Sequence, residues 1–318
     1  MVIEELPLLS VRFTGEPADD VLHVAWCYHR LTHAAKDAVM DLCQVVTPSI
    51  GLLAALELCP PKASELPPDM TAEEVRRLAG IVDCNVIRIV NRSSIPEFWT
   101  SVESGDVSCA LYRVCSRFNH SCDPNLGRTF EADGRMSLHT LRCVEANEEL
   151  TISYLGDAEL LQNTERRRWQ LQPWEFCCSC PRCEDPVDCT RAFHCKSCGN
   201  GLVFAGSRSD DLSGRKCECC TEEMSARCAA SSLIYEQDAL IELEKGRAIL
   251  QAAADMSSSH GGEGRHAHLS DSLVRFEARI KSMAACLAPE HWVMAALHDT
   301  AQRLCQQAGQ LSRTVPHL

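Results

Sequence analysis

Two kinds of side-chain cluster in this sequence have the composition to do chemistry. The first is Asn119-His120-Ser121-Cys122-Asp123-Pro124-Asn125, which packs one imidazole, two amides and one thiol into seven residues. Pro124 fixes its own φ and keeps Asp123 extended, and Asn and Asp side chains satisfy backbone groups in such turns. The second kind is cysteine. Cys178-x-Cys180-x-x-Cys183 offers three thiols in six residues. Three thiolates cannot close a tetrahedron around zinc, and a fourth ligand from a distant loop would complete it. Cys195-x-x-Cys198 and Cys217-x-x-Cys220 have zinc-ribbon spacing and form a complete set. Gly199 and Gly201 permit a tight knuckle after the first pair. Cys177 is a rival ligand at the first site, and Cys189, His194 and Cys219 are rivals at the second. Closed four-ligand sites would be structural, and their binding energy would act as folding energy. Buried cysteines without metal are the alternative.

These residues need elements to position them. Residues 1–14 read as strand, through Val2-Ile3, Leu8-Leu9, Val11 and Phe13. Residues 17–60 carry helical spacing at Val21, Val24, Ala25 and Tyr28, and again at Val39, Leu42 and Val46. Cys27, Cys43 and Cys59 are too scattered for a finger and read as small core residues. A proline-rich connection precedes Thr71-x-x-Glu74, a capping-box string that opens a helix with Val75, Leu78, Ala79 and Val82. Arg135 to Val144 alternates as a strand, with Met136, Leu138 and Leu141 among its apolar positions. Glu145–Glu148 reads as a turn in which Asn147 takes positive φ. Leu150, Ile152 and Tyr154 then share one face of a strand. Residues 177–228 hold many cysteines and little apolar surface. From Ser231 the pattern is helical, with a Ser/Gly/His-rich linker at 257–268. The tail gives two or three helices and no 34-residue repeat. His260, His266 and His268 read as a solvated linker rather than a metal site.

The Asn119–Asn125 string resembles the signature of SET-domain protein lysine methyltransferases. Further matches follow in order: Ala110-Leu111-Tyr112 and Ser116, with Ala110 where Gly is usual; then Glu148-Glu149-Leu150-Thr151-Ile152-Ser153-Tyr154; then Thr164, Arg166, Arg167 and Leu171; then Phe176 with Cys178, Cys180 and Cys183. The resemblance covers about residues 108–185. Within the family it is nearest to the SET-and-MYND type, without a visible MYND finger.

The resemblance implies an α+β fold with a mainly β SET core. It implies a helical insert at about 17–90, a cysteine-rich post-SET zinc segment, a zinc ribbon and a helical C-terminal tail. The expected divisions are 1–176, 177–228 and 229–318. It implies S-adenosylmethionine as cofactor, with Asn119 and His120 holding it partly through backbone. Tyr112 would line the pocket and Phe176 would stack on the adenine, with core packing the rival role for each. Tyr154 would orient the substrate amine as the catalytic residue. Cys122 would join Cys178, Cys180 and Cys183 around one of about two zinc ions. Glu149 is expected to hydrogen-bond structurally. The family's Gly-x-Gly cofactor loop is expected upstream of Val2, before the sequence begins. That leaves a second reading open: a catalytically silent SET scaffold that binds partners through its ribbon and helical tail.

The formal charge of −13, spread without an acidic block, argues against a nucleic-acid backbone as the main partner. It suits a basic, lysine-containing protein or peptide. A nucleic-acid-binding ribbon is the weaker third reading. No apolar run reaches the ~18 residues of a membrane span, and the acidic N-terminus lacks a signal peptide's basic region. Twenty-one cysteines in tight clusters then favour metal thiolates over disulfides, in a reducing compartment, cytoplasm and/or nucleus.

Overall fold

The computed structural model describes residues 2–13, 17–42, 62, 64–88, 107–207, 212–255 and 262–307. Cys43, Val46, Cys59 and His260 lie outside the described residues. Two compact units form, one from 1–156 and 170–180, the other from 157–169 and 181–318. Helix and strand are mixed, as expected. Among the described residues, no helix is long and apolar enough to cross a membrane.

Among the described residues, the first unit is built on three small sheets. Strands β1 (Val2–Glu5), β7 (Met136–Thr140) and β6 (Leu126–Phe130) lie in the order β1-β7-β6, all antiparallel. Strands β2 (Leu9–Phe13), β4 (Val107–Leu111) and β3 (Ile87–Arg88) form the order β2-β4-β3. The third sheet is a two-residue parallel pair, β5 (Asn119–His120) beside β8 (Thr151–Ile152), with Asn119 opposite Thr151 and His120 opposite Ile152. Strand β7 is shorter than the alternation over 135–144 predicts. It stops at Thr140, and Leu141 is 57% exposed because the chain turns there. The Leu141 N–H bonds to the Asn125 carbonyl at 2.9 Å, and Arg142 pairs with Glu148 across the turn at 2.6 Å. Asn147 has φ 69°, as the turn requires.

Helices Pro17–His29, His33–Met40 and Ala72–Asn85 belong to this unit. Thr71 and Glu74 form the predicted capping box: the Thr71 N–H donates to Glu74 at 2.7 Å and the Glu74 N–H to the Thr71 hydroxyl at 3.2 Å. The helix then buries Val75, Leu78, Ile81 and Val82 at 3% exposure or less. Burial of each such aliphatic side chain contributes about 1.5–3 kcal/mol. Leu78, Ile81 and Val82 pack with Leu9, Val11, Val24, Tyr28, Val39 and Leu111. Cys27 is only half-buried, at the edge of this cluster. A neighbouring cluster of Ile87, Ala110, Tyr112, Leu126, Met136, Leu138 and Ile152 lies beneath the β5–β8 pair.

The second unit joins a cysteine-bearing hairpin to helices. Strands β9 (Val187–His194) and β10 (Leu202–Gly206) pair antiparallel, with His194 opposite Leu202. Helices Ala226–Asp255, Gly262–Met283 and Trp292–Gln307 follow. The segment after the second helix returns to the hairpin: the His194 N–H bonds to the Cys286 carbonyl at 2.9 Å, and the Ala288 N–H to the Ala192 carbonyl at 3.1 Å. Arg191 donates to both carboxylate oxygens of Glu236 at 2.9 and 2.6 Å, and His291 Nε2 lies 3.3 Å from the same carboxylate. Hairpin and helices are thus one structure. The predicted linker 257–268 is corrected in its second half, where helix begins at Gly262. Burial of Leu269, Leu273, Phe276 and Ile280 on one face of that helix offsets the poor helix propensity of Gly262 and Gly264.

Candidate active site and metal centres

The β5–β8 pair brings the predicted residues of the first unit together. The Ser121 N–H bonds to the Ile152 carbonyl at 3.0 Å, extending the pair by one rung. Buried Asn125 closes its far side. Its Oδ1 accepts the Thr151 N–H at 2.8 Å, and its Nδ2 donates to the Glu149 carbonyl at 2.8 Å and to the Glu148 carboxylate at 3.0 Å. Hydrogen bonds from Arg142, the Glu145 N–H and Asn125 hold the Glu148 carboxyl down at about 2. Exposed Asn119 donates from Nδ2 to Glu149 Oε1 at 2.6 Å, which gives Glu149 the hydrogen-bonding role expected of it.

Tyr154 lies two residues beyond β8. Its N–H donates to His120 Nδ1 and its hydroxyl to the Phe118 carbonyl, both at 3.0 Å. Burial, helped by the Glu149 carboxylate, pushes its phenol pKa up, so the ring stays neutral at pH 7. His120, Trp174 and Phe176 surround it, with ring centroids 5.3, 5.4 and 6.2 Å from the Tyr154 ring. Phe176 is 36% exposed although it also packs 5.9 Å from His120, so part of its ring is open to a flat ligand.

Tyr112 is placed differently. It is 0% exposed within the cluster beneath the sheet, and its hydroxyl donates to the Gly134 carbonyl at 2.6 Å. Of the two roles open to it, the described geometry gives core packing. Glu5 accepts the Val114 and Cys115 N–H groups that follow, which anchors the turn leading to Asn119.

The cysteines cluster as their spacing predicts. In the first unit the sulfurs of Cys122, Cys178 and Cys180 lie within 4.8 Å of one another, with Cys122 and Cys178 3.9 Å apart. Cys183 follows three residues after Cys180, buried on the short helix Pro181–Glu184 that opens the second unit's main segment. There its sulfur accepts from Arg167 at 3.7 Å. Cys195, Cys198, Cys217 and Cys220 form the other set, all within 4.8 Å, with Cys195–Cys220 and Cys198–Cys217 both 3.8 Å apart. A tetrahedral zinc with Zn–S bonds of about 2.3 Å requires sulfurs roughly 3.8 Å apart, whereas a disulfide requires about 2.05 Å. The observed spacings fit the metal. Cys177, Cys189 and Cys219 are exposed and lie outside both clusters.

Each ribbon knuckle is built the same way. The Gly199 N–H returns to the Cys195 carbonyl and the Thr221 N–H to the Cys217 carbonyl, both at 3.0 Å. Gly199 has φ 72° and Thr221 φ 61°. Backbone N–H groups then aim at sulfur: Gly201 at Cys198 (3.3 Å) and Cys219 at Cys217 (3.4 Å). Hydrogen bonds from the Asn200 and Gly201 N–H groups hold the Cys198 thiol down at about 6.

Sequence reasoning missed four participants: Asn125 as the strand clamp, Phe118 as the hydroxyl's acceptor, Trp174 in the ring cluster and Thr221 as the second knuckle's Gly199. Asn125 lies in the signature string, and Trp174 stands two residues before Phe176. Thr221 occupies the place after Cys220 that Gly199 occupies after Cys198, a symmetry the spacing contains. A surface depression lined by residues 140–145, Glu148 and Leu150 contains none of the predicted site residues.

Residues 83–155 match the SET domain family model. Over 124 residues the chain is 37% identical to "Histone-lysine N-methyltransferase SMYD3" of Mus musculus, covering 38% of this chain and 25% of that protein. It is 34% identical over 98 residues to "Histone-lysine N-methyltransferase SET5" of Meyerozyma guilliermondii, covering 30% and 19%. It is 42% identical over 86 residues to "Histone-lysine N-methyltransferase ATXR4" of Arabidopsis thaliana, covering 26% of each. The aligned stretch thus spans about a quarter or less of these curated relatives. Residues 83–155 are thus similar to a SET domain, and the cysteine clusters can hold metal.

Proposed function

We propose that this chain is an S-adenosylmethionine-dependent methyltransferase that modifies a lysine side chain of a protein. The observation that carries the reading is the parallel β5–β8 pair, which sets Asn119 and His120 beside a neutral, half-buried Tyr154. The relatives' printed names, histone-lysine N-methyltransferases, support the same reaction, with a histone or another basic protein as the substrate class.

The open part of the Phe176 ring suits an adenine, and Asn119 presents an exposed side chain on β5, next in sequence to the His120 that Phe176 packs against. These two residues, with the backbone of His120, would hold the cofactor. When bound, S-adenosylmethionine supplies a methyl carbon activated by a sulfonium charge. Tyr154 does the orienting. Its hydroxyl proton is committed to the Phe118 carbonyl, so the phenol oxygen offers lone pairs to an amine N–H. Free lysine has a pKa of about 10.4, so roughly one amine in a thousand is neutral at pH 7. The ring cluster of His120, Tyr154, Trp174 and Phe176 excludes water and favours the neutral amine. Holding the reactants in line can contribute about 7–11 kcal/mol.

Two structural zinc ions complete the reading. The residues that would hold them are Cys122, Cys178, Cys180 and Cys183 for one and Cys195, Cys198, Cys217 and Cys220 for the other. The first ties the segment bearing Trp174 and Phe176 to the signature. The reading places the protein in the nucleus or cytoplasm, with further partners able to meet the helical tail. Calorimetric titration of S-adenosylmethionine into the zinc-loaded chain tests it. Saturable binding that Asn119→Ala weakens is expected; no binding by a folded, zinc-replete chain would favour a silent scaffold.

A further inference from the structure

His120 stands half-buried between Cys122 and Tyr154, and both of its ring nitrogens are engaged inside the protein. Nδ1 accepts the Tyr154 N–H at 3.0 Å, and Nε2 lies 3.3 Å from Cys122 Sγ. A ring nitrogen that accepts an N–H carries no proton. The neutral imidazole therefore bears its proton on Nε2, facing the Cys122 sulfur, and a metal-bound thiolate is an acceptor for it. The tautomer is fixed from both sides. Moreover, Tyr154 is the residue whose hydroxyl orients the amine, and Cys122 is the ligand that the signature contributes to the first metal centre.

We infer that His120 is a positioning residue that couples the Cys122 metal centre to Tyr154, rather than a residue whose ring nitrogens bind the cofactor. The inference rests on the methyltransferase and zinc readings. Partners of this kind hold ligand and neighbouring group in one orientation, and their loss typically costs 10–100-fold in affinity or activity. The coupling runs through a single ring. The thiolate accepts a hydrogen bond from Nε2–H, the proton's position on Nε2 leaves Nδ1 as an acceptor, and Nδ1 accepts one from the Tyr154 N–H. Turning the ring over would break both bonds and set Tyr154 loose at its backbone.

Two substitutions separate the halves of this link. His120→Asn keeps a polar group at the Nδ1 position and cannot reach Cys122. His120→Gln reaches Cys122 with an amide and has no acceptor at the Nδ1 position. The chain is loaded with NMR-active cadmium for spectroscopy and with zinc for kinetics. In the unsubstituted protein, the expected result is a His120 ring N–H on Nε2 that shows scalar coupling to the cadmium held by Cys122, with Nδ1 unprotonated. Side-chain coupling to cadmium is expected to persist in His120→Gln and to vanish in His120→Asn. Both variants should lower kcat by about tenfold, with KM for S-adenosylmethionine within about twofold of the unsubstituted value.

A metal-loaded, active protein whose His120 carries its proton on Nδ1, or shows no coupling, overturns the link and leaves the methyltransferase reading standing. Variants that raise KM for S-adenosylmethionine at unchanged kcat overturn it as well, because they would make the imidazole a cofactor contact. Failure of cadmium to bind at Cys122 overturns both the zinc reading and the link. The spectroscopic test needs only the unsubstituted protein, so a poorly folding variant does not remove it.

Discussion

Asn125 and Thr151 are joined across 26 positions of sequence by the Asn125 Oδ1, which accepts the Thr151 N–H at 2.8 Å. The same 1%-exposed amide donates to the Glu149 carbonyl, so one side chain takes the place of strand hydrogen bonds on both flanks of Leu150. Asn125→Ala would leave the Thr151 N–H and the Glu149 carbonyl, both in a part-buried setting, without their partner. A loss of about 1–3 kcal/mol is expected by urea denaturation. Asn125→Asp should be worse, because it sets a carboxylate against the Glu149 carbonyl and Glu148.

Tyr154→Phe removes the hydroxyl and its bond to Phe118 but leaves the ring among His120, Trp174 and Phe176. Stability should change by only about 0.5–1.5 kcal/mol, while turnover or the number of methyl groups added per lysine changes. Denaturation and product mass spectra of the same preparation check both halves. An unchanged rate and product pattern would remove Tyr154 from the mechanism.

The knuckles make a stoichiometric prediction. Metal analysis should find about two zinc ions per chain, one for each of the cysteine sets proposed to hold them. Gly201→Ala should lower the count to one, because a Cβ there would collide with the Cys217 sulfur and come within 2.6 Å of Cys219 Cβ. A two-zinc Gly201→Ala protein would contradict the ribbon geometry.

The Arg191–Glu236–His291 cluster predicts a pH dependence in the second unit. Burial pushes the Glu236 carboxyl up, but hydrogen bonds from His291 and Arg191 outweigh it and leave the group at about 2, below its ordinary 4.5. A depressed carboxyl stabilises the fold above its unfolded pKa and loses that contribution as pH falls from about 4.5 to about 2. The contribution at stake is roughly 3 kcal/mol. Glu236→Gln should destabilise the unit at neutral pH and flatten the acid limb. Comparing the two proteins over this window isolates Glu236 from acid release of zinc.

What the sequence made legible were short-range patterns with one physical meaning. The Thr71–Glu74 box, the Asn147 turn and the paired cysteines each state their own local geometry. The signature string singled out Asn119, His120 and Cys122 as candidates, and the fold sets His120 against both Tyr154 and Cys122. What stayed hidden depends on chain segments meeting across long separations. The 286–288 segment that bonds to β9 is too short to show alternation, and its partner lies almost a hundred residues earlier. Arg191 and Glu236 look like surface charges until the hairpin lies on the helix. Tyr112 has the same local sequence whether it lines a pocket or fills a core; the Gly134 carbonyl decides, and no spacing reveals it. Thr221 adopts a left-handed φ that a β-branched residue disfavours, so propensity pointed away from the knuckle that metal binding would hold closed.

The most direct test of the account is methyl transfer itself. The zinc-loaded chain is incubated with S-adenosylmethionine and purified histones as a lysine-rich probe, and the products are mapped by tandem mass spectrometry beside a Tyr154→Phe control. The account predicts methyl groups on lysine side chains, with rate or multiplicity altered in the control. Methylation confined to other side chains, or none from a folded chain shown to bind the cofactor, would contradict it.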